Sequence, residues 1–389
     1  MLEYQGKIGK AKVMIDKIDS ATVSQIYEFL NHEAFTNPIA IMPDTHAGAG
    51  AVIGFTMELT SKIIPNVIGV DIGCGMLSMD VGSNALQNIS REDLDSQIRT
   101  AIPFGTNVRK NAVTINDSFW KNAYYGLNSL SYYYNRKTQI GLTPPITNQK
   151  WLEKKCEDIG IDYDRVVKSL GTLGGGNHFI EVGKSENTNH YWVTVHSGSR
   201  QFGLKIAQYW QKKAGKGQLA FLEGEDAYNY LMDMQFAQFY ASQNRVLMAR
   251  EIIKILNIDP TKWIESVHNY IDFNDWIIRK GAISAHKDQE MIIPFSMETG
   301  LLICKGKGNE EWNQSAPHGA GRLGSRRWAK ETLSLDEARS RMKYKGIFCS
   351  KLPIDECGLA YKDPKIIEDA ITPTAEVIDR IKPVLAMKD

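Results

Sequence analysis

The sequence has almost no net charge: 46 lysines and arginines stand against 45 aspartates and glutamates, a balance of +1 with histidine neutral. Bulk attraction to nucleic acid or to an anionic membrane is not expected, so any polyanion must be held by a local site. Cysteines are few. The five, Cys74, Cys156, Cys304, Cys349 and Cys357, are odd in number, scattered and without a CxxC pair. That excludes a disulfide framework and fits a reducing compartment. No run of about 18 apolar residues occurs, and the first 20 residues lack the apolar stretch of a signal peptide, so neither a membrane span nor secretion is expected. Low-complexity tracts, long Gly/Ser linkers and fixed-period repeats are missing as well. The expectation is a soluble cytoplasmic protein.

What is present is a chain of 389 residues, 43% hydrophobic, enough for one large domain or two ordinary ones. Apolar runs rich in β-branched residues read as buried strands: Ala51 to Met57, Val67 to Val70, Trp192 to Val195, Met291 to Pro294 and Leu301 to Cys304. Ser90 reads as the N-cap of a helix carrying Leu94, Ile98 and Ala101, and Ser334 with Glu337 as a capping box for another. The longest helical pattern runs from Ala227 to Leu256, with an interruption expected near Ser242-Gln243-Asn244. Strands and helices do not alternate regularly, which predicts an α+β fold, a single elaborate mixed-sheet domain spanning 1–389, over a doubly wound parallel sheet.

Five segments join a strand-like run to glycines and a metal-capable or nucleophilic side chain: 42–50 (MPDTHAGAG), 69–76 (GVDIGCGM), 173–181 (LGGGNHFIE), 195–203 (VHSGSRQFG) and 315–322 (SAPHGAGR). Loops at strand ends are where rigid scaffolds place chemistry. Asp71 and Cys74 lie three residues apart in a glycine-flanked turn. Alone they read equally as a turn cap and a small buried thiol. His178, His196 and His268 follow or end apolar runs, and with them the five residues read as a metal site. Thiolate and imidazole favour zinc or iron, while the mixed Asp/His shell admits manganese; spacing decides neither the metal nor whether one ion or two are held.

The glycines at 174–176 fit neither a P-loop nor GxGxxG, and a tight turn accounts for them. The phosphate signal is stronger at His318-Gly319-Ala320-Gly321-Arg322, ahead of a helix expected over Leu323 to Glu331. There His318 would be a general acid, a metal ligand or, if neutral, a nucleophile on phosphorus. From Arg322 to Lys345 eight basic residues face three acidic ones, either a solvated helix face or a nucleic-acid groove. The run Tyr132-Tyr133-Tyr134, with Arg136 and Lys137 behind it, reads as a base-stacking surface or as part of the core.

The five segments in this order resemble the RtcB family of RNA-splicing ligases, as do VHNY (267–270), PFSM (294–297), LAYKD (359–363) and the terminal Lys388. The resemblance runs from about Met42 to the C-terminus. It implies an enzyme that uses GTP and manganese to join an RNA 2′,3′-cyclic phosphate or 3′-phosphate end to a 5′-hydroxyl end. Asp71, Cys74, His178, His196 and His268 would then ligate two manganese ions, with Cys74 bridging, and His318 would become guanylylated. Asn177, His178, Phe179, Ile180, Glu181, His268, Asn269, Pro294, Phe295, Ser296, Met297, Gly319, Ala320, Gly321, Tyr361 and Lys388 would surround the guanine nucleotide. Arg200 and Arg322 would hold RNA phosphates, and Asp44 and His46 would line the same pocket. The implied partners are broken RNA and GTP, with a helper protein for turnover; the chain itself is expected to be a monomer.

Three stretches depart from the family pattern. Phe295 and Glu298 stand where glycines are usual, Ser315-Ala316-Pro317 precedes the histidine, and Gln201-Phe202 follows the Ser-Arg pair. They point to a divergent branch with its own RNA, a repair ligase in place of a tRNA-splicing one. Two other classes remain: a metal-dependent cyclic phosphodiesterase or phosphatase that opens ends without joining them, and a noncatalytic RNA-binding relative.

Overall fold

The computed structural model describes residues Met1–Asp389 as a mixed α+β fold built on two large sheets and a two-stranded ribbon. The first sheet has strand order β1 (Leu2–Gln5), β2 (Lys10–Val13), β3 (Ile39–Ile41), β4 (Phe55–Glu58), β10 (Ile277–Lys280) and β9 (Asn269–Asp272). The second runs β12 (Glu290–Ser296), β13 (Gly300–Gly306), β15 (Ala375–Met387), β6 (Phe179–Ser185), β7 (Tyr191–Ser197), β5 (Gly75–Gly82) and β8 (Lys262–Val267). The ribbon pairs β11 (Ala282–Ser284) with β14 (Ser315–Pro317). Only β2 and β3 pair in parallel.

The helices are α1 (Ser20–Leu30), α2 (Pro65–Ile68), α3 (Arg91–Ala101), α4 (Asp117–Thr138), α5 (Gln149–Ile159) and α6 (Tyr163–Ser169). After them come α7 (Arg200–Ala214), α8 (Gly224–Leu256), α9 (Arg326–Thr332), α10 (Leu335–Tyr344) and α11 (Pro364–Ala370). Ser90 and Ser334 cap α3 and α10 as their sequences predict, each hydroxyl accepting from the backbone N–H three residues on. None of the helices is long and apolar enough to cross a membrane.

One large apolar cluster packs the first sheet against α1, α4, α5, α7 and α8; a second lies between β5, β6 and β7 and the helices α3 and α8. β8 runs into β9 and β10 into β11 with a single residue between, so the chain passes twice from one sheet system to the next. His268 and Gly281 are those two residues. Gly281 has φ +61°, and a Cβ there would meet the Ile53 side chain at 2.3 Å and His318 Cε1 at 3.2 Å. Only glycine lets this crossing lie against His318.

Four local expectations are corrected. Val67 and Ile68 belong to α2, not a strand, because Pro65 at its first turn presets a helical φ. The strand expected from Ala51 begins only at Phe55, after Gly54 turns with φ +85°. Helix α8 runs 33 residues without interruption at Ser242-Gln243-Asn244. The helix expected from Leu323 starts at Arg326, capped by Ser325, so the His318 loop is not a helix N-terminus.

Candidate active site

The antiparallel order of β6, β7, β5 and β8 explains how residues nearly 200 positions apart meet. Cys74 and His178 immediately precede β5 and β6, His196 lies near the end of β7, and His268 follows β8. Register pairs Met76 with His196, Phe179 with His196 and Gly75 with Val267, so all four side chains emerge at one edge of the sheet. Cys74 Sγ is 3.5 Å from His178 Nε2 and 3.3 Å from His196 Nε2. His196 Nε2 is 3.3 Å from His268 Nε2, and His178 Nε2 is 3.0 Å from Asp71 Oδ2. Two groups of three donors result, Asp71-Cys74-His178 and Cys74-His196-His268, sharing the Cys74 sulfur.

These residues fit a divalent metal, and the reason is hydrogen bonding. His178 Nδ1 donates to the Leu173 carbonyl at 2.9 Å and His196 Nδ1 to the Asn177 carbonyl at 3.2 Å. Each bond places a proton on Nδ1 and aims Nε2 into the cluster. His196 Nε2, 3.3 Å from both Cys74 Sγ and His268 Nε2, is placed to share one cation with them. Burial, with neighbouring His178, pushes the His196 pKa far below its usual value, and burial with His318 and His196 does the same to His268. Both are held neutral and ready to ligate. Burial alone would raise Asp71, but the His178 hydrogen bond, with Cys74 and Arg200, brings it down to about 2. Cys74 is pushed up by burial and by the Asp71 carboxylate, so a thiolate here requires the metal's own charge.

Helix α8 holds this edge from beneath. Asn244, fully buried, accepts from the N–H groups of Gly171 and Thr172 and donates to Thr172 O, Ser197 Oγ and Gly198 O. Arg245, also fully buried, donates to the carbonyls of Gly73 and Ser197 at 2.8 Å and pairs with Glu265. The polar run that reads as a helix break is therefore the place where α8 passes under three site loops. Asn244→Ala strands two buried N–H donors and is expected to cost about 1–3 kcal/mol for each, read as a lower midpoint in urea unfolding.

Beside the cluster an open cavity receives His318, whose ring centroid is 5.0 Å from that of His268. Its Nδ1 donates to the carboxylate of the fully buried Asp44 at 2.6 Å. In the neutral ring this leaves the Nε2 lone pair free, the arrangement an orienting carboxylate gives a nucleophilic or basic histidine. Of the residues expected around a nucleotide, Asn177, Phe179, Glu181, His268, Asn269, Pro294, Phe295, Ser296, Met297, Gly319, Ala320, Gly321, Tyr361 and Lys388 line this cavity with His318, and so does His46. Two do not. Ile180 alternates onto the opposite face of β6 and packs with Val182, Val193 and Val195, while His178 belongs to the donor cluster behind the cavity.

Sequence reasoning missed Glu356. Almost completely buried, it gathers Arg322, Arg326, Lys388 and the Tyr361 hydroxyl, with Lys388 Nζ at 2.9 Å and Tyr361 Oη at 2.7 Å. The signal was absent because Glu356 sits in a short 3-10 turn with no motif around it. Burial lowers the Lys388 pKa against the opposing pull of Glu356, and burial raises Glu181 to about 8 against the pull of Lys388.

Several expected RNA contacts are engaged within the fold. Arg200 donates to Gly105 O and Thr172 Oγ1, and Arg322 pairs with Glu356 and lies over the Tyr361 ring. Of the eight basic residues from 322 to 345, six have carboxylate partners, leaving Arg339 and Lys343. That run is an ion-paired surface more than an open groove. All five cysteines are free; Cys349 is half-buried and the other four are buried.

The sequence model described as tRNA-splicing ligase RtcB matches residues 25–389. The chain belongs to the RtcB family. It is similar to an RNA-splicing ligase RtcB of Escherichia coli, 32% identical over 90% of each chain. It is also similar to tRNA-splicing ligases RtcB of Nanoarchaeum equitans, at 26% over 95% of this chain and 91% of the relative, and of Archaeoglobus fulgidus, at 25% over 88% and 86%. Phe295 buries its ring with Ile283, Met291 and Ala316, at the cavity wall. Glu298, buried too, receives Arg341 Nε at 2.8 Å and ties α10 to the turn after β12.

Proposed function

We propose that this chain joins an RNA 3′-phosphate or 2′,3′-cyclic phosphate end to a 5′-hydroxyl end at the expense of GTP, with manganese at the five-residue cluster. In this reading the whole chain, 1–389, acts as one catalytic domain, a monomer in the cytoplasm. The observation that carries it is His318, its Nδ1 fixed by Asp44 and its ring beside His268, within a cavity that also holds Lys388 and Glu181. A guanine offers an acceptor at O6 and donors at N1 and N2, which match an ammonium and a carboxylate set in one pocket.

His318 Nε2 attacks the α-phosphorus of GTP, the bond to pyrophosphate breaks, and a phosphoramidate forms while Asp44 holds the Nδ1 proton in place. An oxygen of the RNA 3′-phosphate then displaces the imidazole, giving an RNA(3′)pp(5′)G end. Finally the 5′-hydroxyl attacks the RNA phosphorus and GMP leaves; a cyclic end is first opened by water. Asp71, Cys74, His178, His196 and His268 would hold the ions, whose charge, when bound, offsets that of the phosphates. His46 and the small residues Gly319 to Gly321 shape the space in which the phosphates lie.

The test supplies purified protein with manganese, two RNAs bearing 3′-phosphate and 5′-hydroxyl ends, and either GTP or ATP. A joined product with GTP alone is expected. Opening of a 2′,3′-cyclic phosphate without joining, under every divalent metal tried, would leave a phosphodiesterase instead.

A further inference from the structure

We infer that the exposed tyrosine stripe of α4 is a stacking platform for the single-stranded body of the RNA whose end is presented to His318. This rests on the RNA-joining reading above and adds to it a second binding surface, remote from the cavity.

Helix α4 is anchored by one face and bare on the other. Ala123, Leu127, Leu130 and Tyr134 are buried, and Ser131 Oγ meets the Tyr228 hydroxyl of α8 at 2.7 Å. On the opposite face Tyr125, Tyr132 and Tyr133 are 66%, 57% and 50% exposed, large values for aromatic rings. Arg136 lies over the Tyr132 ring, 5.7 Å from its centroid. The following loop is tied back by Asn135, which bonds both the N–H and the carbonyl of Leu142. A groove forms between helix and loop, walled by Tyr125, Tyr132, Tyr133, Asn128 and Pro144.

Charge selects the occupant. Between residues 99 and 150 there are seven basic residues and a single acid, Asp117, in a chain whose total is +1. Arg99 and Lys137 pair with Asp95 and Glu58, and Arg109 is turned inward by two carbonyls. Lys110, Lys121, Arg136 and Lys150 are exposed without a carboxylate partner. The run at 322–345 leaves only Arg339 and Lys343 without a carboxylate partner. The exposed positions of α4 from Lys121 to Lys137 carry Lys, Asn, Tyr, Ser and Arg with no aliphatic residue, so a helix-in-groove protein partner finds no anchor. Flat rings interleaved with unpaired cations and amides suit a single strand, whose bases stack without regard to sequence.

Position agrees. Tyr134 packs on Tyr228, sixteen residues along α8 from Asn244, which lies under the catalytic loops, a span of about 24 Å along the helix. That is about seven stacked nucleotides at 3.4 Å each.

The full chain is titrated with a fluorescent 20-nucleotide single-stranded RNA ending in a 3′-phosphate, and a trinucleotide with the same end is measured by competition. For Tyr125→Ala/Tyr132→Ala the 20-mer is expected to bind at least about tenfold more weakly while the trinucleotide is unaffected. Lys121→Gln/Arg136→Gln should lower the slope of log affinity against log salt by about 1.4, for two lost phosphate contacts. Native-like 20-mer binding by the tyrosine variant overturns the proposal and returns the stripe to a protein partner. Equal weakening of both RNAs overturns it too, placing the defect at the cavity. If native protein binds neither RNA, the RNA-joining reading itself falls, and the platform with it.

Discussion

A His318→Ala chain given manganese and α-labelled GTP is expected to carry no acid-labile, alkali-stable label, where the native chain acquires one. RNA joining should fall at least about 10⁴-fold, because no other cavity histidine has a ring nitrogen that is both oriented by a carboxylate and outside the donor cluster. His268 is the nearest alternative and is held neutral by burial, but its Nε2 faces His196 within the donor cluster, so it is not free to attack. Asp44→Asn makes the argument sharper. The amide can face its NH₂ to His318 Nδ1, which moves the imidazole proton to Nε2 and removes the attacking lone pair. A loss of about 10³–10⁴ in labelling is expected, with the urea midpoint reporting that the fold survives. Label retained in His318→Ala would remove the histidine from the chemistry, whatever the joining assay showed.

How much of this was legible beforehand depended on the distance over which each signal acts. The donor residues were readable because each sits beside a strand end and a glycine, a pattern that survives in one dimension; their convergence follows from antiparallel register that no local pattern encodes. Ser242-Gln243-Asn244 reads as a break in α8 because polar residues in a helix ordinarily mark solvent or an end, whereas here Asn244, with Arg245 next to it, satisfies loop carbonyls and N–H groups from 46 or more residues away. Val67 and Ile68 looked like a strand by β-branching and were overridden by Pro65. Glu356 was invisible for the opposite reason: a lone carboxylate gains its meaning only from Arg322, Arg326 and Lys388, brought in from three elements. Ile180 was over-read by being carried along with its neighbours, when strand alternation turns it away from the cavity.

Metal removal is expected to show in stability as well as activity. Loaded with manganese at about 100 times its dissociation constant, the chain gains about 2.7 kcal/mol over the chelated form, and Cys74→Ala, which breaks both donor groups, should erase that gain. The metal-free chain then reports the histidines through pH. His196 and His268 have folded-state pKa values well below the unfolded 6.5, so the unfolded chain binds the extra protons. The stability they contribute is fully present above about 6.5 and is lost as pH falls, at about 1.4 kcal/mol per histidine per pH unit while the folded form stays neutral. Asp71, held at about 2, enters only below its unfolded value of 3.8, whereas Glu181, raised by burial to about 8, keeps a proton in the folded chain across the window from 6.5 to 4.5 and acts in the opposite direction. His32 and His46 are depressed by burial too and act in the same direction, so the discriminating measurement is a difference. Urea midpoints of native and His196→Asn chains, both chelated, should converge as pH falls across that window. Parallel pH curves would mean that His196 takes a proton in the folded chain as readily as in the unfolded one, and the neutral, metal-ready cluster would have to be abandoned.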